Sequence, residues 1–309
     1  LPISFKSYIS PELIDQMLES ETRPTLGGEK REITAFFTDI QGFSTFSEKI
    51  GDASKLVELI NEYLTAMTNT LMENGGTLDK YIGDAIVAFF GAPMPLENHA
   101  RSACFTALAM QKRIAELREK WRAEGDKWPS IVHEMRMRIG INSGEIVTGN
   151  MGSSMRMNYT MMGDDVNLAA RLESGAKQYG VYTVVSKATL ESAGEGMVAR
   201  HLDRVRVVGK SEPVEIFELL STLDDMDDSL QELIALWEEA YRLYLETDWD
   251  GAEKLFQKTL ALEPNHPDRS PGVKSTPSHL YLKRCAEYRT NPPVSPGEKW
   301  DGVFTATSK

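Results

Sequence analysis

FFTDIQGFS, residues 36–44, decides how the chain is read: an apolar strand-forming run, ITAFFTDI, stops on a bare aspartate and then passes through a glycine, a phenylalanine and a hydroxyl. Taken alone, Asp39 reads equally well as a helix N-cap that accepts backbone N–H groups of the following turn. A second aspartate shifts the balance. Asp84 stands in the Gly83-Asp84 turn of TLDKYIGDAIVAFFG, residues 77–91, a hairpin by its turn chemistry. If the strand carrying Asp39 lies beside that hairpin, the two carboxylates meet at one sheet edge, where hard oxygen donors suit Mg²⁺ or Mn²⁺ rather than a softer metal. Ile40, Gln41, Gly42 and Phe43 then turn into a helix start whose free amides form an anion site next to the metal, with Gly42 allowing close backbone approach to a phosphate. Carboxylates, metal and helix start together describe a triphosphate site.

Working outward, GDASKLVELINEYLTAMTNTLMENGG repeats Leu56, Ile60, Leu64, Met67 and Leu71 at helical spacing and stops at Gly75-Gly76. A long helix is expected from about His99 to Trp121, with Ala103, Ala107, Met110, Ile114 and Leu117 inward. MRMRIGINSGEIVTGNMG reads as two strands joined at Asn142-Ser143-Gly144, GDDVNLAARLESGA as a helix, and YTVVSKATLE as a strand running into a helix. VRVVGKSEPVEIFEL reads as a strand pair turning at Gly209-Lys210-Ser211. Such mixing without strict βαβ repetition predicts an α+β fold, a ferredoxin-like sandwich of a mostly antiparallel sheet with helices.

The flanks differ in kind. Residues 1–28 are expected to be an N-terminal helix and linker, with Ser10 a candidate N-cap and Pro11 at the first helical position of ISPELIDQMLES. Residues 29–221 form the α+β domain, and residues 222–309 an acidic linker, a helical hairpin and an extended Pro-rich tail. In the hairpin, Trp237, Ala240, Tyr241 and Tyr244 share one helix face and Ala252, Leu255, Phe256 and Leu260 the next, similar to a single tetratricopeptide unit. One such unit cannot bury its own face, so it is expected to pack on the domain or on a partner.

Composition narrows the function. The formal net charge of −12 disfavours nucleic acid or an anionic lipid surface as partner, and any bound polyanion needs local cations. Cys104 and Cys285, each inside a helix-like segment, read as packing residues and fit a reducing, cytoplasmic location. The longest apolar stretch, AIVAFFGAPMPL, is cut by prolines and too short to cross a bilayer. An upstream sensor or membrane tether before Leu1 stays open.

FFTDIQGFS, LDKYIGDAIVAFFG, MRIGINSG and YTMMGDDVNLAARLE, in that order, resemble the catalytic domain of class III nucleotidyl cyclases over roughly Arg31 to Leu220. The resemblance implies active sites formed between two domains in a head-to-tail homodimer, with two Mg²⁺ or Mn²⁺ ions per site. Asp39 and Asp84 then match the metal-binding aspartates, with the Ile40 carbonyl as a further ligand, and Arg138 matches a phosphate-contacting arginine. On the opposite side of the cleft, Lys80 and Thr160 match the pair that reads the base, Asn167 the residue that orients the ribose, and Arg171 the arginine that stabilises the transition state. Lys80 favours ATP, because an ammonium donates to adenine N1 but meets the N1–H donor of guanine. Thr160 resembles the threonine-type subclass that includes bicarbonate-responsive soluble members, and cyclase assays at fixed pH with and without bicarbonate check whether that property is shared. The family's Val-Lys-Gly-Lys loop is here Val207-Val208-Gly209-Lys210, so Lys210 either replaces the triphosphate lysine from the next turn or is only a turn residue. A guanylyl cyclase and a catalytically silent module of the same fold are the rival readings. The second predicts losses at Asp39, Asp84, Asn167 or Arg171, and all of them are present.

Overall fold

In the computed structural model, β1 (Gly27–Ile40) is the spine of the first of two compact units. Residues 25–206, 212–295, 298 and 300–305 are described. The helix expected near residue 10 and the turn expected at Lys210 both fall outside them. The first unit holds the described residues up to Ser174 together with Ala188–Glu195, and the second holds Gly175–Lys187 and the described residues from Gly196 onward.

β1 pairs antiparallel with β3 (Ala85–Phe90) on one side and with β4 (Met137–Ser153) on the other. β2 (Thr77–Ile82) forms the expected hairpin with β3, turning at Gly83, whose φ of 65° suits glycine. Strand alternation gives β1 two buried faces. Ile33 and Ala35 join Val87, Phe89, Met161 and Ala169 in one core, while on the other face Thr34 bonds His99 of α3 (His99–Ala123) and Phe36 meets Phe90 edge-on. The inward residues expected on α3, Ala103 to Leu117, are all buried.

Three local readings change. Asn142-Ser143-Gly144 is not a junction, because β4 runs through it unbroken, opposite Ala35, Thr34 and Ile33. Its turn-like residues are satisfied by tertiary partners instead: Asn142 Nδ2 donates to the Asp165 carbonyl, Ser143 bonds Thr34, and a Cβ at Gly144 would come within 2.7 Å of the Asp165 carboxylate. β5 (Arg156–Met162), which turns back on β4, is an additional strand in a stretch of methionines without clean alternation. On α2 (Ala53–Glu73), which starts where Asp52 accepts from Ser54 and Lys55 N–H, the fully buried stripe is Leu59, Tyr63, Met67 and Leu71. Leu56, Ile60 and Leu64 are only half-buried.

The second unit contains β6 (Thr183–Ser186), β7 (Met197–Arg206) and β8 (Val214–Thr222), with β8 antiparallel to both. Beyond it the chain makes α6 (Asp228–Leu245) and α7 (Trp249–Leu262), the expected hairpin, and a third helix, α8 (Pro277–Thr290). These pack in cis on β7. Trp237 and Tyr281 donate to the carbonyls of His201 and Leu202, and Arg284 pairs with Asp203 at 2.8 Å. Buried Arg200 bonds Glu218 and, in a fork, Glu263, under the ring of Trp237. The tail is extended only in part: β9 (Val303–Thr305) runs parallel to β7, and Trp300 joins the aromatic core of Trp237, Tyr244 and Tyr281. The mostly antiparallel α+β fold and the helical extension are therefore both present. Cys104 and Cys285 are buried free thiols, and burial pushes each up to about 12. Among the described residues no helix is long and apolar enough to cross a membrane.

Candidate active site

Pairing brings the two aspartates together as the sequence suggested. Asp39, one residue before the end of β1, stands opposite Arg138 of β4, and Asp84 leaves the β2–β3 turn to accept a 2.8 Å bond from the Ile40 N–H. Asp84 is buried, and its pKa is raised to about 6, first by desolvation and further by the charge of Asp39, against the bond from Ile40. Two carboxylates held this close repel unless a proton or cation lies between them. The donor set therefore fits a hard divalent ion, with Asp39, Asp84 and the Ile40 carbonyl as candidate ligands. Among the described residues no group of three or more His, Cys, Asp or Glu side chains is arranged for metal.

Arg138 lies between two acids. Its Nη2 is 3.1 Å from Asp39 Oδ2 and its Nε 3.2 Å from Glu173 Oε1. Glu173 was not among the residues read from sequence, where it was merely the acid two places after Arg171. Loss of water raises its pKa to about 7, with the charge of Asp39 adding to the effect and Arg138 opposing it. Beyond Ile40 the chain enters α1 (Phe43–Ile50) through Gly42, which is left-handed at φ 71° with open space around it, and no side chain caps the helix. Phe43 stacks on buried Phe46.

The second cluster joins β2 to β5. Lys80 Nζ donates to Thr160 Oγ1 at 3.2 Å, and both side chains engage Asp79, likewise missing from the sequence reading. Asn167 and Arg171 share an exposed face of α4 (Asp164–Tyr179), one turn apart. That helix is pressed onto β4 at Gly140, where a Cβ would lie 2.2 Å from the Glu173 nitrogen and 2.3 Å from the Ala169 carbonyl. Lys210 lies outside the described residues.

Against known proteins, the family profile described as Adenylate and Guanylate cyclase catalytic domain matches residues 28–221. Adenylate cyclase 1 of Rhizobium meliloti is 32% identical over 220 residues, 71% of this chain and 32% of that protein. Among solved structures, the adenylyl cyclase CyaB from P. aeruginosa is similar at a TM-score of 0.58 and 34% identity, covering 65% of this chain and 100% of that one. The guanylyl cyclase Cya2 is similar at a TM-score of 0.57 and 31% identity, covering 65% of this chain and 98% of that one. The chain spans under half the length of the curated relatives it matches.

Proposed function

The chain belongs to the adenylate and guanylate cyclase catalytic domain family, and on that premise we propose that it converts ATP to 3′,5′-cyclic AMP and pyrophosphate at the interface of a homodimer. The observation that carries this reading is the bonding of Lys80 to Thr160 in a chain that also brings Asp39 and Asp84 together. A single sequence thus supplies both halves of a cleft, and a symmetric dimer would build two.

Asp39, Asp84 and the Ile40 carbonyl would hold Mg²⁺ or Mn²⁺. Bound there, the metal would acidify the ribose 3′-hydroxyl and hold the triphosphate. The Ile40 N–H keeps the Asp84 carboxylate turned toward that site. Arg138, braced by Asp39 and Glu173, presents fixed positive charge to the phosphates. The uncapped amides after Gly42 offer further donors to the triphosphate, and Lys210 stays a candidate for the triphosphate on the strength of its sequence position alone. Across the cleft, Lys80 and Thr160 read the base, Asn167 orients the ribose, and Arg171 meets charge growing on the phosphoryl oxygens.

Purified protein offered ATP and GTP separately, with Mg²⁺ or Mn²⁺, tests the assignment. Cyclic AMP from ATP is expected, lost in Asp39→Ala and weakened in Lys80→Glu. Preferential formation of cyclic GMP would favour the guanylyl cyclase reading and would remove Lys80 as the base reader.

A further inference from the structure

We propose that Asp79 is a positioning residue that sets the base preference of this chain, by fixing which way the Thr160 hydroxyl points; the inference rests on reading Lys80 and Thr160 as the base-contacting pair. In a regular strand Asp79 and Lys80 would face opposite sides of the sheet. The β2–β3 register, however, shifts between Leu78 and Lys80, placing Asp79 in a bulge. A bulge re-aims its side chain, and here the neighbouring acid and base reach the same hydroxyl. The Asp79 side chain is only 2% exposed, so this is no solvated surface acid.

The bonds leave little freedom. Asp79 Oδ2 accepts from Thr160 Oγ1 at 2.5 Å, the Met161 N–H donates to the same carboxylate, and Oδ1 lies 3.3 Å from Lys80 Nζ. An ionised carboxylate only accepts, so the Thr160 proton is committed to Asp79. One Thr160 lone pair receives Lys80 Nζ, and the other is left for a ligand. Toward the nucleotide, the pair therefore presents an acceptor at Thr160 beside a donor at Lys80.

That polarity matches a 6-aminopurine, whose amino group donates while N1 accepts. A 6-oxopurine offers the inverse, with O6 set against a lone pair and N1–H against an ammonium. Without Asp79 the hydroxyl could rotate and donate to O6. Lys80 and Thr160 supply the contacts, and Asp79 sets their sense.

The test is equilibrium binding of α,β-methylene-ATP and α,β-methylene-GTP, with Mg²⁺, to wild type, Asp79→Asn, Thr160→Val and the double variant. An asparagine keeps the shape but cannot accept from Thr160, Met161 and Lys80 together, so the preference for the ATP analogue is expected to fall about 10- to 100-fold. Thr160→Val alone should lose a similar factor, and adding Asp79→Asn to it should change the ratio no further. An unchanged ratio in Asp79→Asn overturns the proposal, as does a full further loss in the Thr160→Val background. If Asp79→Asn does not fold, a Thr160→Val protein that keeps the whole preference overturns it equally. Equal wild-type affinity for the two analogues would remove the base-reading pair and Asp79's role with it. Cyclic product is scored separately on the same wild-type protein: a binding preference without turnover counts against the cyclase assignment and leaves the Asp79 result standing.

Discussion

At the scale of single residues, loss of water is the first reason that Asp84, Glu173 and Glu218 hold protons more tightly than free carboxylic acids. For Glu218 the consequence is one of stability. Arg200 is a single buried cation shared by two buried acids, Glu218 and Glu263, so one negative charge is left over. Burial, with the charge of Glu263, raises Glu218 from 4.5 to about 7 against the pull of Arg200. An acid whose folded pKa is raised binds its proton more tightly in the native state, so its contribution to stability is present at low pH and is lost as pH rises toward about 7. Glu218→Gln should therefore remove a downward slope in stability between about pH 4.5 and 7, seen as a flatter plot of melting temperature against pH. An identical slope in the variant would show that Glu218 stays ionised throughout. Nothing in EIFEL distinguishes this glutamate from a solvated one, because its burial depends on helices that follow it in the chain. Asp39 and Asp84 were legible because each carries a local signal, an apolar run stopping on an aspartate and a Gly-Asp hairpin turn, even though the two meet across 44 residues. Asp79 and Glu173 were not, since each looks like an ordinary acid until its partners Thr160 and Arg138, 81 and 35 residues away, are in place.

At the scale of elements, Gly140 sets how closely α4 can approach β4. Its backbone is not in the left-handed region, so its role is close approach rather than a strained turn. Gly140→Ala would force the added methyl against the Ala169 carbonyl and the Glu173 nitrogen, moving the helix that presents Asn167 and Arg171. Overpacking of this kind typically costs about 1–3 kcal/mol. The variant should unfold at lower denaturant concentration and lose activity out of proportion to its stability, because misplacement of catalytic groups by about 1 Å can cost about 100-fold. A variant with normal turnover at reduced stability would mean that the helix tolerates the shift. Helical periodicity found α2 and α3 correctly, yet placed the buried stripe of α2 one position away from Leu59 and Tyr63. Leucine spacing alone does not reveal that Tyr63 fills the core, its hydroxyl against Met137 Sδ. β4 was split at Asn142-Ser143-Gly144 because turn-forming residues are ambiguous until their tertiary partners are known.

At the scale of the whole molecule, the central claim is that one chain supplies both halves of a cleft and that two copies complete each other. The antiparallel sheet and its helices were readable from element order. The cis packing of the C-terminal helices on β7 was left open between domain and partner, because an unpartnered hairpin does not name the surface that covers it. The decisive measurement uses two variants broken on opposite sides of the cleft, Asp39→Ala and Arg171→Ala, each assayed alone and then mixed under conditions that exchange subunits. Each alone should be nearly inactive in forming cyclic AMP. In the mixture, half the dimers are mixed and each holds one intact site of two, so activity should return to roughly a quarter of wild type. A mixture no more active than its separate components, with subunit exchange verified, would contradict a site shared between two copies of this chain.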